Sequence, residues 1–324
     1  MAGGHYVAKA LYAVAELGIP DHLEKGPRSA EDLAGATGAH APSVYRLLRT
    51  LTAFGVFERD ADGRFGLTPL GATLRSNAPE HTRAAVRMLA SPWMWRATSE
   101  FLHAVRTGES GMAKAFGRSP FEVLAEDAEQ STIFNEAMIG FHGDEPPAVA
   151  AAYDFSGVRT LVDVGGGTGN LLLTILEKHP GLRGTLFDQP HVVAEAKRNI
   201  QARGLADRCD IVEGSFFDAL PKGHDAYLLS HVIHDWDEKA CHAILGRCRE
   251  AVPANGRVLI VEQVIPDGDG FHPGKFLDMV MLVVTGGRER TAAEYGELVA
   301  QNGFALETVV PTASAVSVVD VRPV

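Results

Sequence analysis

Three cysteines, Cys209, Cys241 and Cys248, are all that 324 residues carry. They are odd in number and none stands in a C-x-x-C pair, which excludes a disulfide framework or a structural zinc site and fits small buried residues in a reducing compartment. Long hydrophobic runs are also lacking. No stretch approaches the roughly 18–20 apolar residues of a membrane span, and the first eighteen residues are interrupted by Lys9 and Glu16, so neither a span nor a secretory leader is expected. Positive charge is in deficit, with 30 Lys and Arg against 41 Asp and Glu and a net charge of −11. Nucleic acid and membrane are therefore not expected as partners, because both need a basic face. What remains is a cytoplasmic protein with a small neutral or cationic ligand.

The chain exceeds the ~100–200 residues of one ordinary domain, so a large domain with a smaller one is expected. Its front third reads as helices with one ribbon. In SAEDLAGATG, Ser29 is an N-cap and Gly38 a stop, and APSVYRLLRTLTAFG places Val44, Leu47, Leu48 and Leu51 on one stripe. VFERDADGRFGLT then reads as a hairpin turning at Ala61-Asp62-Gly63. Helix, turn, helix, hairpin is the pattern of a winged helix, but residues 1–77 hold eight basic and eight acidic side chains. A DNA reader needs a basic surplus there, so a packing and dimerising scaffold is the better reading than a ligand-responsive regulator.

Residues ~80–150 keep a helical period rich in aromatics, including Trp93, Phe101, Phe134, Met138 and Phe141. From about residue 158 strands alternate with helices, the signature of a doubly wound parallel sheet. Strands are predicted at Thr160–Val164, Gly184–Asp188, Cys209–Glu213, Ala226–His231 and Arg257–Val264, then a terminal antiparallel pair at Leu306–Val310 and Ala315–Val321. The divisions are a dimerising winged-helix-like domain over 1–95, a helical linker and acceptor region over 96–155, and a Rossmann-like catalytic domain over 156–324.

LVDVGGGTGN, Leu161–Asn170, sets a glycine turn between a buried strand and a helix. Gly165, Gly167 and Gly169 permit the positive φ angles and close backbone approach that a ligand at the carboxyl edge demands, and Asp188 ends the next strand where a carboxylate can hold a ribose. Nicotinamide proteins share that much. Asp163, just before the glycines, would repel a pyrophosphate but tolerate a cation. Ser215, Phe216, Phe217 and Ser230 at later strand ends suit an adenine ring and an amino-acid tail. Both features favour S-adenosylmethionine, whose sulfonium is positive and which carries no phosphate.

His234 follows a strand at the same edge, and a histidine with pKa ~6.5 is a natural base for a phenol of pKa ~10. Glu262, at the end of the next strand, and Glu289, in the GGRER loop, can reach that edge. His231 and Asp235 complete H-x-x-H-D, which tempts a metal reading. His231 is placed on a strand facing away from its neighbours and no third ligand has suitable spacing, so no metal is expected. Asp235 and Trp236 are read as capping and packing the following helix.

DVGGGTGN, FDQP at Phe187–Pro190, HDW at His234–Trp236, VE at Val261–Glu262 and GGRERT at Gly286–Thr291 occur in the order that resembles the small-molecule O-methyltransferases of plants and actinobacteria. The resemblance covers nearly the whole chain. It implies a homodimer that moves a methyl group from S-adenosylmethionine, leaving S-adenosylhomocysteine, to a hydroxyl of a small aromatic secondary metabolite such as an antibiotic precursor. His234 would be the base flanked by Glu262 and Glu289. Gly165 and its neighbours would approach the methionine part, Asp188 would hold the ribose and Phe216 would lie against the adenine, with Gln189 also at the cofactor. Ser215 and Phe216 stand where plant relatives carry aspartate and methionine, and Ser230 replaces a lysine, as in bacterial members. The acceptor would lie between the two parts, with Trp93, Met138, Phe141 and His142 on one and Asp278, Met279 and Leu282 on the other. N- or C-methylation, or a methyltransferase fold that no longer methylates, are the alternatives.

Overall fold

The computed structural model describes residues 2–324. It divides into two compact units, one of residues up to Glu100 together with Ala115–Gly143, the other of Phe101–Lys114 with Asp144–Val324.

In the first unit, Ser29 caps the helix Ala30–Thr37 by accepting the Asp32 N–H at 3.1 Å, and Gly38 ends it in the left-handed region. The helix Ala41–Thr52 turns Val44, Leu48 and Leu51 inward. They meet Phe57 and Phe65 from the antiparallel strands β1 (Phe57–Arg59) and β2 (Phe65–Leu67), paired Phe57 to Leu67. Each such apolar side chain stabilises the unit by about 1.5–3 kcal/mol. The expected winged-helix pattern is present. Tyr6, Phe54 and Leu70 in this unit remain 74%, 54% and 56% exposed.

The second unit is a seven-stranded sheet. Its strands are β3 (Thr160–Val164), β4 (Arg183–Asp188), β5 (Cys209–Glu213), β6 (Ala226–Ser230), β7 (Arg257–Glu262), β10 (Phe304–Pro311) and β11 (Ser317–Pro323), in the order β10-β11-β7-β6-β3-β4-β5. The first five are parallel and the last two antiparallel, as the terminal pair required. Alternation sends Leu161, Leu186 and Leu228 to one face, under the helices Asn170–Lys178 and Val193–Ala202. Val162, Val164, Tyr227 and Leu229 face the other, under the helices Glu238–Ala251 and Ala292–Ala300. Both faces covered explains why β6 and β7 read as near-continuous apolar runs. Cys209, Cys241 and Cys248 are buried free thiols.

Chain order reverses between β3 and β6, so their loops open a crevice at the carboxyl edge, where open α/β sheets take ligands. Two short strands were not foreseen. β7 stops at Glu262, and β8 (Val264–Ile265) pairs in parallel with β9 (Arg290–Thr291), Val264 opposite Arg290. That splice brings the segments bearing Glu262 and Glu289 side by side. Among the described residues no helix is long and apolar enough to cross a membrane.

Candidate active site

The glycine turn follows β3. Gly165, Gly167 and Gly169 have φ of 73°, 57° and 82°, angles that a side chain resists. A Cβ on Gly166 would stand 2.8 Å from Asp163 Oδ2, so the loop folds directly over that buried carboxyl. Burial, with the charge of Asp188 adding to it, pushes Asp163 up to about 7. Asp188 ends β4 and fixes the turn, its Oδ2 accepting the Gly167 N–H at 2.8 Å and its Oδ1 the Gln189 N–H at 2.6 Å. No lysine or arginine stands among the residues Asp163–Asn170, so the loop suits a cationic ligand better than a pyrophosphate.

Asp188, Gln189, Gly214, Ser215, Phe216, Phe217 and Trp236 line one cavity beside the turn. The Phe216 ring would lie 3.5 Å from a Cβ on Gly165. Phe217 and Trp236 meet edge to face at 4.9 Å, and Phe216 and Trp236 at 5.8 Å. Ser215 shapes this corner by accepting the Phe217 N–H, and Ser230 stands half-buried at the end of β6. A larger open groove of about 600 Å³ is lined by Pro190, Val193, Ala194, Lys197, Ile211 and Glu213. Of the strand-end residues that the sequence offers for the cofactor, Glu213 alone lines it.

His234 sits in a 3₁₀ turn, Ile233–Asp235, beyond β6. Its ring is 6% exposed, and Glu262 and Glu289 are buried with it. Glu289 Oε1 lies 2.6 Å from His234 Nδ1. A carboxylate only accepts, so the proton on Nδ1 points to Glu289 and the neutral ring keeps its lone pair on Nε2. Glu262 Oε1 accepts the His234 backbone N–H at 3.0 Å, and its Oε2 accepts the Tyr295 hydroxyl. Asp235 Oδ1 is 3.8 Å from Nε2. Burial works against charge on the ring, but Asp235, then Glu289 and Glu262, outweigh it and raise His234 to about 10. Burial pushes the Glu289 carboxyl up, and His234 holds it back.

The loop bearing Glu289 presses on this turn. A Cβ on Gly287 would stand 1.9 Å from the His234 carbonyl oxygen, so only glycine fits. Asp278 accepts the Glu289 N–H at 2.9 Å; it was expected toward an acceptor and here also steadies the loop. Met279 is exposed and Leu282 half-buried on the same helix, Pro273–Val284. In the other unit, Trp93 is buried and donates to Gln130 Oε1 at 3.1 Å, Met138 and His142 are half-buried and Phe141 is exposed.

Two expectations are corrected. His231 is not on a strand: β6 ends at Ser230, and His231 takes φ of 52°, so strand alternation does not set its direction. Its ring lies 5.1 Å from that of His234, and its Nε2 is 2.7 Å from the buried Glu145 carboxylate. Asp235 does not cap the next helix. Asp237 does, accepting the Ala240 N–H at 2.8 Å, because Trp236 is still extended. Glu145 and Tyr295 went unselected in the sequence, since each reaches the site only through tertiary folding.

The model of the O-methyltransferase domain matches residues 98–305, and that of the O-methyltransferase dimerisation domain residues 1–77. The chain is 46% identical to the phenazine O-methyltransferase PhzM of Lysobacter antibioticus over 324 residues, covering 100% of this chain and 95% of that protein. The structure of the mitomycin 7-O-methyltransferase MmcR superposes with a TM-score of 0.93 at 40% identity, covering 100% of this chain and 96% of that one. That of NcsB1, from neocarzinostatin biosynthesis, in complex with S-adenosylmethionine and 2-hydroxy-5-methyl naphthoic acid, superposes with a TM-score of 0.87 at 38% identity, covering 98% and 96%. The glycine turn, Asp188 at the end of β4 and the buried histidine between two glutamates thus stand in a chain that belongs to the S-adenosylmethionine-dependent O-methyltransferase family.

Proposed function

We propose that the chain methylates a phenolic hydroxyl of a planar aromatic secondary metabolite, one to three rings in size, with His234 as general base. One observation carries the reading: the His234 ring is held by Glu289 at Nδ1, which leaves Nε2, 3.8 Å from Asp235 Oδ1, as the edge that takes the acceptor proton once the ring is neutral, one loop from the glycine turn. S-adenosylmethionine supplies a methyl carbon on a positive sulfur, and Gly165, Gly167, Asp188, Gln189, Phe216 and Phe217 would hold it, with Ser215 and Ser230 at the flanks. Nε2 would take the acceptor's hydroxyl proton as the oxygen gains the methyl group that S-adenosylmethionine supplies, with S-adenosylhomocysteine as the other product. Glu289 fixes the ring and, with Glu262, stabilises the imidazolium that forms. Against its burial, Asp235, Glu289 and Glu262 raise the basicity of the ring, which favours its taking the phenol proton. The acceptor class rests on the phenazine, mitomycin and naphthoate enzymes to which the chain is similar.

The exposed Tyr6, Phe54 and Leu70, in the unit whose first 77 residues match a dimerisation domain, support a homodimer. Three unpaired buried thiols support a cytoplasmic location. The test is to incubate the protein with S-adenosylmethionine and a panel of hydroxylated phenazines, naphthoates and hydroxybenzoates. A product heavier by one CH₂, with the new methyl on oxygen by NMR, is expected. His234→Ala should lower its rate by roughly 10²–10⁴-fold while leaving cofactor affinity unchanged. Retained turnover in that variant would remove His234 from the chemistry.

A further inference from the structure

Glu262 has no solvent exposure, and a buried carboxylate is tolerated only where its oxygens are given donors. Oε1 takes the His234 backbone N–H, and Oε2 takes the phenolic hydroxyl of Tyr295. Tyr295 is also wholly buried and comes from the helix Ala292–Ala300. Burial and the neighbouring carboxylate drive its phenol well above the usual range, so the hydroxyl stays a donor.

We infer that Tyr295 is a positioning residue for methyl transfer, its hydroxyl locking the Glu262 carboxylate in the orientation that holds the His234 backbone. This rests on His234 being the base. A carboxylate rotates easily about its terminal torsion, so a Glu262 gripped by one oxygen could turn and release the His234 N–H. The turn it steadies is short and follows His231, whose positive φ is uncommon for a side-chain-bearing residue. A displacement of about 1 Å in such a turn can cost roughly a hundredfold in rate. The helix that presents Tyr295 is itself anchored: Thr291 and Glu294 form a capping box at its start, and β9 ties that start to β8, two residues past Glu262. The Arg290 guanidinium lies 6.0 Å from the Tyr295 ring. Glu289 by chain connection and Glu262 by the tyrosine hydroxyl are therefore both referenced to one helix.

The experiment compares wild type, Tyr295→Phe, Glu262→Met and the double variant, with kcat counted per site that binds S-adenosylmethionine so that unfolded protein does not register. Tyr295→Phe should lower kcat by about ten- to a hundredfold, with both KM values unchanged within about twofold. The double variant replaces the carboxylate and the hydroxyl by apolar groups of similar shape, which removes the buried charge and leaves only the His234 backbone N–H without its acceptor. With no carboxylate left to hold, its kcat should equal that of Glu262→Met within about twofold. A Tyr295→Phe kcat per site close to wild type, or a further drop in the double variant, overturns the proposal. Should Tyr295→Phe alone not fold, the comparison of Glu262→Met with the double variant decides. His234→Ala is measured alongside: retained turnover there sinks the base reading, whereas its loss with Tyr295→Phe intact sinks only the positioning role.

Discussion

A base that faces three carboxylates is protonated before the reaction can use it. His234 is raised to about 10 in the protein alone, so at pH 8 it is an imidazolium, and a positive sulfonium brought near it must lower that value. Binding of S-adenosylmethionine at pH 8 should therefore release part of a proton, read by calorimetry in buffers of different ionisation enthalpy. S-adenosylhomocysteine, whose sulfur is neutral, should release markedly less, and equal release by both would show that His234 does not sense the sulfonium. Asp163 makes a separate prediction. Its folded value of about 7 lies above the unfolded ~3.9, so its protonated form stabilises the fold fully below the unfolded value, and that stability is lost as pH rises toward 7. Asp163→Asn should then raise Tm at pH 8 by roughly 2–6 °C and by little at pH 4. A Tm gain that is the same at both pH values would mean the carboxyl is not the group that titrates.

Elements, more than residues, decide where the carboxylates go. His234, Glu262 and Glu289 were legible in the sequence because each follows a strand end or a glycine loop, and strand ends of a parallel sheet share an edge. The β8–β9 pair was not legible: two residues show no period, and nothing local says that Val264 will find Arg290. Tyr295 was hidden for the same reason, as its partner lies 33 positions away. His231 was misread because the apolar Val232 and Ile233 follow it, so the sequence shows no break between the end of the strand and the turn. Gly287 tests the element-level account. Alanine there would drive a methyl into the His234 carbonyl and push the Glu289 loop away, with overpacking costing about 1–3 kcal/mol. Gly287→Ala should lose about a hundredfold in kcat while titrating S-adenosylmethionine as wild type does, because the glycine turn after β3 is a different loop. A wild-type kcat would show that the loop can shift without moving Glu289.

At the scale of the whole molecule, the doubly wound parallel sheet with its terminal antiparallel pair followed from the alternation of strands and helices, whereas the strand order and the interleaved division did not. Phe101–Lys114 belong with the sheet unit although the helices around them belong to the other, and the helix Phe101–Thr107 packs on Pro273–Val284, a partner about 170 positions downstream. Helical periodicity marks a buried stripe without naming what buries it. The same limit applies to the first unit, where Tyr6, Phe54 and Leu70 stay exposed. Single exposed apolar side chains need no explanation, but this unit leaves Leu89, Phe121, Ile139 and Phe141 exposed as well, apolar area that water does not favour. A second copy of the chain would cover it. Light scattering should give twice the chain mass, and Phe54→Glu combined with Leu70→Glu should shift the protein toward monomer, since like charges would face each other across a two-fold interface. The high net charge of −11 works against self-association at low salt, so raising ionic strength to about 0.5 M should strengthen a dimer held by apolar contact. A monomer mass at both ionic strengths would leave this surface unpartnered and remove the homodimer from the functional reading.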